Sequence, residues 1–248
     1  MTARSKIAAV SEDTVSRREM IAAVISAATL PLVSACGRSR EPMLTTPNET
    51  SALALLDEVG DNLLRLRPEQ ATSLGIDTGA RAALRSVLSD RSVEGQRRLA
   101  NQLRMDLDRV KAFDTSGLSH ATRTSFEVVR SGYATALAGF ALPYGDVAVG
   151  GWRNTPYVVI QNVGAYLDTP RFLDADHRIE SAPDAEAYLA RLQSYAKQLD
   201  GERERMQAAR AAGLVPPAFL IDQAVRQMTL AVSNARSGGS LVESLARR

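Results

Sequence analysis

Apolar residues recur at helical spacing along most of this chain, and one stretch breaks the rhythm. Leu56, Val59, Leu63 and Leu66 fall at i, i+3, i+7 and i+10, one face of a helix that Pro68 stops. Leu99, Leu103, Leu107 and Val110 repeat the pattern between Val93 and Phe113. Phe126, Val129, Tyr133, Leu137 and Phe140 form a third stripe, ended by Pro143. Ser181-Ala182-Pro183-Asp184 combines a capping hydroxyl, an early proline and an acid, which marks a helix start. The buried face expected from there is Tyr188, Leu192, Tyr195 and Leu199. Glu202-Arg203-Glu204-Arg205 reads as its solvated continuation, with Gly213 as the stop. Pro216-Pro217 opens a further helix with Leu220, Ala224 and Met228 on one side. The pattern predicts a mainly α fold, an irregular helical domain over residues 50–248.

The interruption is residues 143–170, a Gly/Pro/aromatic-rich insert broken by Gly145, Gly150, Gly151, Pro156 and Gly164. Within it Tyr157-Val158-Val159-Ile160-Gln161 has the β-branched composition of a strand. An irregular loop on a helical scaffold is a natural binding element. Trp152, Tyr157, Gln161, Asn162 and Tyr166 are therefore the candidate wall of a substrate cleft, with Tyr157–Gln161 as an edge strand able to pair with an extended peptide. The competing reading has these aromatics closing the end of the helical core.

The N-terminus carries a different signal. Arg4, Lys6, Arg17 and Arg18 precede a charge-free run from Ile21 to Ala35, too short to span a bilayer and suited to an export leader. Val33-Ser34-Ala35-Cys36 resembles a bacterial lipobox, in which the cysteine is acylated and becomes the new N-terminus. Ser16-Arg17-Arg18-Glu19-Met20-Ile21 resembles the twin-arginine export motif, with Met20 where Phe is frequent. Residues 1–35 then form a lipoprotein signal peptide, and residues 36–49 a flexible tether after lipidated Cys36. Gly37 in place of Asp favours an outer-membrane anchor facing the periplasm.

Composition narrows the chemistry. Across 248 residues, 30 Lys+Arg oppose 28 Asp+Glu, so the basic surplus that a nucleic-acid partner requires is missing. One Cys and two His exclude a disulfide framework and a three-histidine zinc site within the chain. The phosphate-loop and Gly-x-Ser-x-Gly signatures do not occur. Asp174, Asp176 and His177 crowd four positions, where a His–acid pair is expected rather than a metal site. His120 follows Ser119 at a helix start and is expected to be exposed. No catalytic or metal-ligating residue is assigned, and no cofactor is expected in this chain.

Several short motifs nonetheless resemble the domain-of-unknown-function family 885, a group of exported bacterial proteins, many with lipoprotein signals. They are Thr155-Pro156-Tyr157-Val158-Val159, Gln161-Asn162, Gly164-Ala165-Tyr166, Pro170 to Leu173, Asp176-His177, Asp184 to Leu189 and Leu214 to Phe219. The resemblance implies a mainly helical protein about twice this length and a zinc metallopeptidase built on a C-terminal His-Glu-x-x-Pro-Gly-His element. Neither His120 nor His177 is followed by Glu, so no family ligand transfers onto this sequence. The chain reads as the N-terminal half of such a protein, catalytically incomplete. Its implied partners are the membrane through Cys36, and either a C-terminal half or a second copy. The alternative is a non-catalytic periplasmic lipoprotein that binds a partner or ligand through its helical domain. Cys36→Ser is expected to abolish labelling by radioactive palmitate and leave the leader uncleaved; unchanged membrane partitioning of the variant would refute the lipobox.

Overall fold

The computed structural model describes residues 46–150 and 155–246. Arg17, Arg18, Val33, Ser34, Ala35, Cys36 and Trp152 lie outside the described residues. Eight α-helices are described: α1 (Pro47–Leu66), α2 (Pro68–Ser73), α3 (Val93–Ala112), α4 (His120–Phe140), α5 (Ala165–Ala175), α6 (Ala182–Ala211), α7 (Ala218–Arg236) and α8 (Ser240–Ala246). A 3₁₀ segment, Gly79–Ser86, joins α2 to α3.

The first three predicted stripes are real. Val59 of α1, Leu99, Leu103, Leu107 and Val110 of α3, and Phe126 and Tyr133 of α4 are buried together. Helix α1 starts at Pro47, three residues before the expected boundary, because Thr46 accepts the amide of Glu49 at its N-terminus. The Glu49 carboxylate in turn accepts the Ser119 amide and the Ser119 and Thr122 hydroxyls. One acid thereby ties the start of α1 to the start of α4.

Helix α6 departs from the sequence reading. Its 30 residues bury Ala187, Tyr188, Arg191, Gln198, Gly201 and Glu202, while Leu189, Leu199 and Met206 are exposed. The buried face is thus largely polar, with Arg191, Gln198 and Glu202 on it at i, i+7 and i+11. Glu202 is not on a solvated continuation of the helix. Its surroundings replace water with fixed hydrogen-bond donors, the condition on which a buried charge is tolerated. Gly201 carries no side chain because the main chain of Arg91 and Ser92 passes against it; a Cβ there would lie 2.6 Å from the Ser92 nitrogen.

The strand expected at Tyr157–Gln161 does not form. Among the described residues the insert contains two isolated bridges, Asp146 with Thr155 and Ile160 with Val163. Val158 and Val159 are both buried against Tyr166, which the alternating side-chain directions of a pleated strand forbid. Helix α5 begins at Ala165, so the insert ends at Gly164, whose φ of 135° turns the chain into the helix. Pro170 lies inside α5 and does not bound the insert.

Arg191 is fully buried. Its guanidinium donates to the carbonyls of Val87 (3.1 Å) and Leu84 (3.0 Å), the Thr72 hydroxyl (2.7 Å) and the His177 ring (2.7 Å). Arg191→Met orphans all four acceptors and is expected to lower unfolding stability by more than about 3 kcal/mol, since each unsatisfied buried group costs ~1–3 kcal/mol. Urea midpoints measure this, with Leu189→Met on the exposed side of α6 unchanged.

Candidate functional site

Two concavities flank the insert. One is a polar cleft of about 570 Å³ between the end of α1, the loop 87–91, the first turns of α3, and Asp146, Val147, Ala148 and Val163 of the insert. The other is a groove of about 690 Å³ between Tyr157, Val158 and Val159, the end of α6, residues 214–216 and α7.

Insert residues line both concavities, Asp146, Val147, Ala148 and Val163 the polar cleft and Tyr157, Val158 and Val159 the groove. Tyr157 lines the apolar groove. The hydroxyl of Tyr166 lies 3.0 Å from the Ile160 carbonyl and 2.7 Å from the Gln227 amide oxygen, which fixes the insert against α7. Gln161 and Asn162 sit in the turn between the bridged residues Ile160 and Val163, and Asn162 is exposed. Of the described candidate-wall residues, Tyr157 lines the groove, whereas Tyr166 is buried as an anchor of the insert.

The polar cleft is organised by Glu202. Its carboxylate accepts from Arg91 (2.7 Å) and from the Ala165 amide (2.8 Å), joining the loop before α3 to the start of α5. Burial pushes the Glu202 carboxyl up, against the pull of the adjacent Arg91. Arg91 also reaches Asp168 at 3.5 Å. Arg205 bonds Asp146 (2.8 Å) and the Gly145 carbonyl (2.9 Å), pinning the near edge of the insert to α6. Asp200 pairs with Arg203 at 3.1 Å, a local helix-surface contact. These buried ion pairs escaped sequence analysis because their partners lie far apart in the chain; the helical spacing of Arg191, Gln198 and Glu202 was the one available signal.

His177 is fully buried, with its ring held between Arg191 and the Asp184 carbonyl. Its Nδ1 accepts from Arg191 at 2.7 Å and its Nε2 donates to the Asp184 carbonyl at 3.0 Å, which defines the neutral Nε2–H form. Asp176 bonds the Ser73 hydroxyl instead. Asp184 accepts from Arg85 at 2.7 Å and from the Ser181 hydroxyl at 2.8 Å. Behind Arg191, the Thr72 hydroxyl donates to Asp77 at 2.8 Å, and Asp77 accepts from Arg85 at 3.0 Å. Burial lowers the Arg191 pKa to about 10, so the side chain stays cationic at neutral pH.

Residues 68–248 match the family described as "Bacterial protein of unknown function (DUF885)". The chain belongs to the DUF885 family. Its fold is similar to a crystal structure from Colwellia psychrerythraea described as a "putative lipoprotein", with a TM-score of 0.68 and 18% identity. That match covers 79% of this DUF885 chain and 34% of the Colwellia chain, so the present chain spans well under half the length of that relative. A search of the curated proteins finds no match. The zinc that the family resemblance implies does not fit the described residues. Both ring nitrogens of His177 are engaged in hydrogen bonds, and His120 is exposed at the start of α4. Among the described residues no three His, Cys, Asp or Glu side chains converge on a common point.

Burial, followed by the positive Arg191 and Arg85, lowers the His177 pKa below its ordinary value, while the Asp184 carbonyl opposes this. The folded state then binds fewer protons at this site than the unfolded chain does. Stability from this group is complete above the unfolded value of about 6.5 and declines as pH falls below it. Thermal melts between pH 8 and pH 5 are expected to show a falling midpoint, with a shallower fall in His177→Gln.

Proposed function

We propose that this DUF885 chain is an exported, lipid-anchored helical lobe whose α7 face docks the remainder of the DUF885 architecture. Cys36 holds it to the outer membrane facing the periplasm, and catalysis is left to groups this chain does not carry. The observation that carries the reading is α7 itself. Among its described side chains only Ala224 is buried, whereas Phe219 is 65% exposed and Leu230 62%. Ile221, Val225 and Val232 are exposed on the same helix. Surface apolar residues are ordinary when scattered, but a run along one helix beside an apolar groove marks a contact surface.

The occupant follows from length. The Colwellia relative continues well beyond the third that this chain matches, and a C-terminal half packed on α7 would cover these side chains. The lipoprotein description of that relative supports the anchor, as does the lipobox resemblance at Cys36. A second copy of the chain is the competing occupant, and the same experiment separates the two.

Analytical ultracentrifugation of the leaderless chain, alone and with a separately produced C-terminal half of a full-length DUF885 relative, is the test. A one-to-one complex is expected, lost in Phe219→Glu/Leu230→Glu while the helical circular dichroism is retained. A homodimer that excludes the added half, or a monomer indifferent to it, would overturn the reading.

A further inference from the structure

The polar cleft holds a charge imbalance that its own residues do not resolve. Four arginines line it: Arg65, Arg67, Arg91 and Arg98. Arg91 is neutralised by Glu202 and Asp168, and Arg98 by Asp90. The third lining acid, Asp146, is held by Arg205. Arg65 bonds the neutral Asn62 side chain. Arg67 is half-buried, and no described carboxylate pairs with it. After pairing, Arg67 lines the cleft with no ion pair to a described carboxylate, while the exposed Arg65 beside it bonds Asn62 and lies in the field of Glu58.

Arg67 is also held in place. It precedes Pro68, which excludes the helical conformation, and its main chain adopts φ −132°, ψ 61° at the end of α1. Its amide still donates to the Leu63 carbonyl at 2.8 Å. The backbone that carries the guanidinium is thus fixed on both sides, so only side-chain rotamers are left to order on meeting a ligand.

An independent observation lies across the cleft on α3. The Gln96 side-chain oxygen is buried and has no hydrogen-bond partner. A buried acceptor left without a donor is costly, so rotation of the Gln96 side chain that brought this oxygen to a donor in the cleft would be rewarded. Between these polar ends the lining is aliphatic: Leu88, Leu99, Val147 and Val163 are each buried. The volume falls within the range of small-molecule sites.

We infer that this cleft binds a small carboxylate-bearing ligand with an adjacent amide N–H and an aliphatic body, of the class of an N-acylated aliphatic amino acid. Arg67, assisted by Arg65, takes the carboxylate, for which a planar guanidinium offers paired donors. Gln96 accepts the amide N–H, and the aliphatic wall covers the side chain. The cleft shares no residue with the α7 groove, so this site stands whether or not α7 docks a partner.

Isothermal titration calorimetry on the leaderless chain tests it with three probes: N-acetyl-leucine, its neutral amide N-acetyl-leucinamide, and inorganic phosphate. N-acetyl-leucine is expected to bind, with the amide and phosphate at least about tenfold weaker, the contribution of one charge-assisted hydrogen bond. Arg67→Gln is expected to weaken N-acetyl-leucine by a similar factor with an unchanged melting temperature, since Arg67 makes no described ion pair. Gln96→Met is expected to weaken it without destabilising the fold, because it removes an orphaned acceptor. No binding of N-acetyl-leucine, equal binding of the amide or of phosphate, or binding indifferent to Arg67→Gln would each overturn the assignment.

Discussion

The fold depends on α6 carrying charge into the interior. Arg191 near its middle and Glu202 three turns later have opposite sign, and each is surrounded by groups that helices and sheets do not supply. Arg191 takes the carbonyls of Leu84 and Val87 at the end of the 3₁₀ segment. Glu202 takes the Arg91 side chain and the free amide at the start of α5. Gln198 lies between them, donating to Glu69 (3.1 Å) and the Ser89 carbonyl (2.9 Å), and accepting from Thr169 (2.7 Å). Residues 84–91 form neither helix nor sheet bonds along most of their length, and a buried backbone of that kind must find partners elsewhere. A polar face on α6 satisfies that requirement where an apolar face would leave carbonyls unpaired.

How much of this was legible in the sequence follows from the same physics. The bundle of α1, α3 and α4 buries apolar side chains at helical spacing, so Leu56 to Leu66, Leu99 to Val110 and Phe126 to Phe140 announced their helices without knowledge of their neighbours. The expected buried face on α6 failed because it assumed that burial means apolar. Tyr188 was placed correctly, but Leu199 is exposed and the true face runs through Arg191, Gln198 and Glu202. Their justification lies in partners 14 to 129 positions away, which no local pattern contains. The strand reading of Tyr157–Gln161 failed for a related reason. β-Branched composition states what a residue tolerates, whereas a strand also needs a neighbouring edge, and here Val158 and Val159 turn inward together onto Tyr166.

The candidate site was half legible. Its location on the 143–170 insert was visible, because breakers in a helical chain mark where irregular backbone collects. The residues were not, because Tyr166, one of the aromatics that drew attention to the segment, anchors it to α7. The side chains lining the cleft are largely aliphatic or charged, and Arg67, between α1 and α2, and Gln96 of α3 come from stretches whose sequence patterns looked wholly structural. His177 was singled out correctly as an unusual group, yet its partner proved to be a cation. A neutral imidazole ring can accept from a guanidinium only when its other nitrogen carries the proton, and the Asp184 carbonyl provides for that.

The exposed face of α7 is a consequence of the same arrangement. With α6 directing Arg191, Gln198 and Glu202 inward, its apolar residues Leu189, Leu199 and Met206 remain at the surface. Met206 then lines the groove against which α7 lies. Helix α7 contacts the insert through Met228 and Gln227, while Phe219, Ile221, Val225, Leu230 and Val232 stay exposed. Polar bonds hold the interior of this lobe with defined geometry, while apolar surface, which is less directional, is displaced to the edge. A surface of that kind gains free energy from any complementary apolar face in proportion to the area covered. The interior polar seam therefore fixes the shape of the lobe, and the edge it leaves uncovered is where association with another body is favourable.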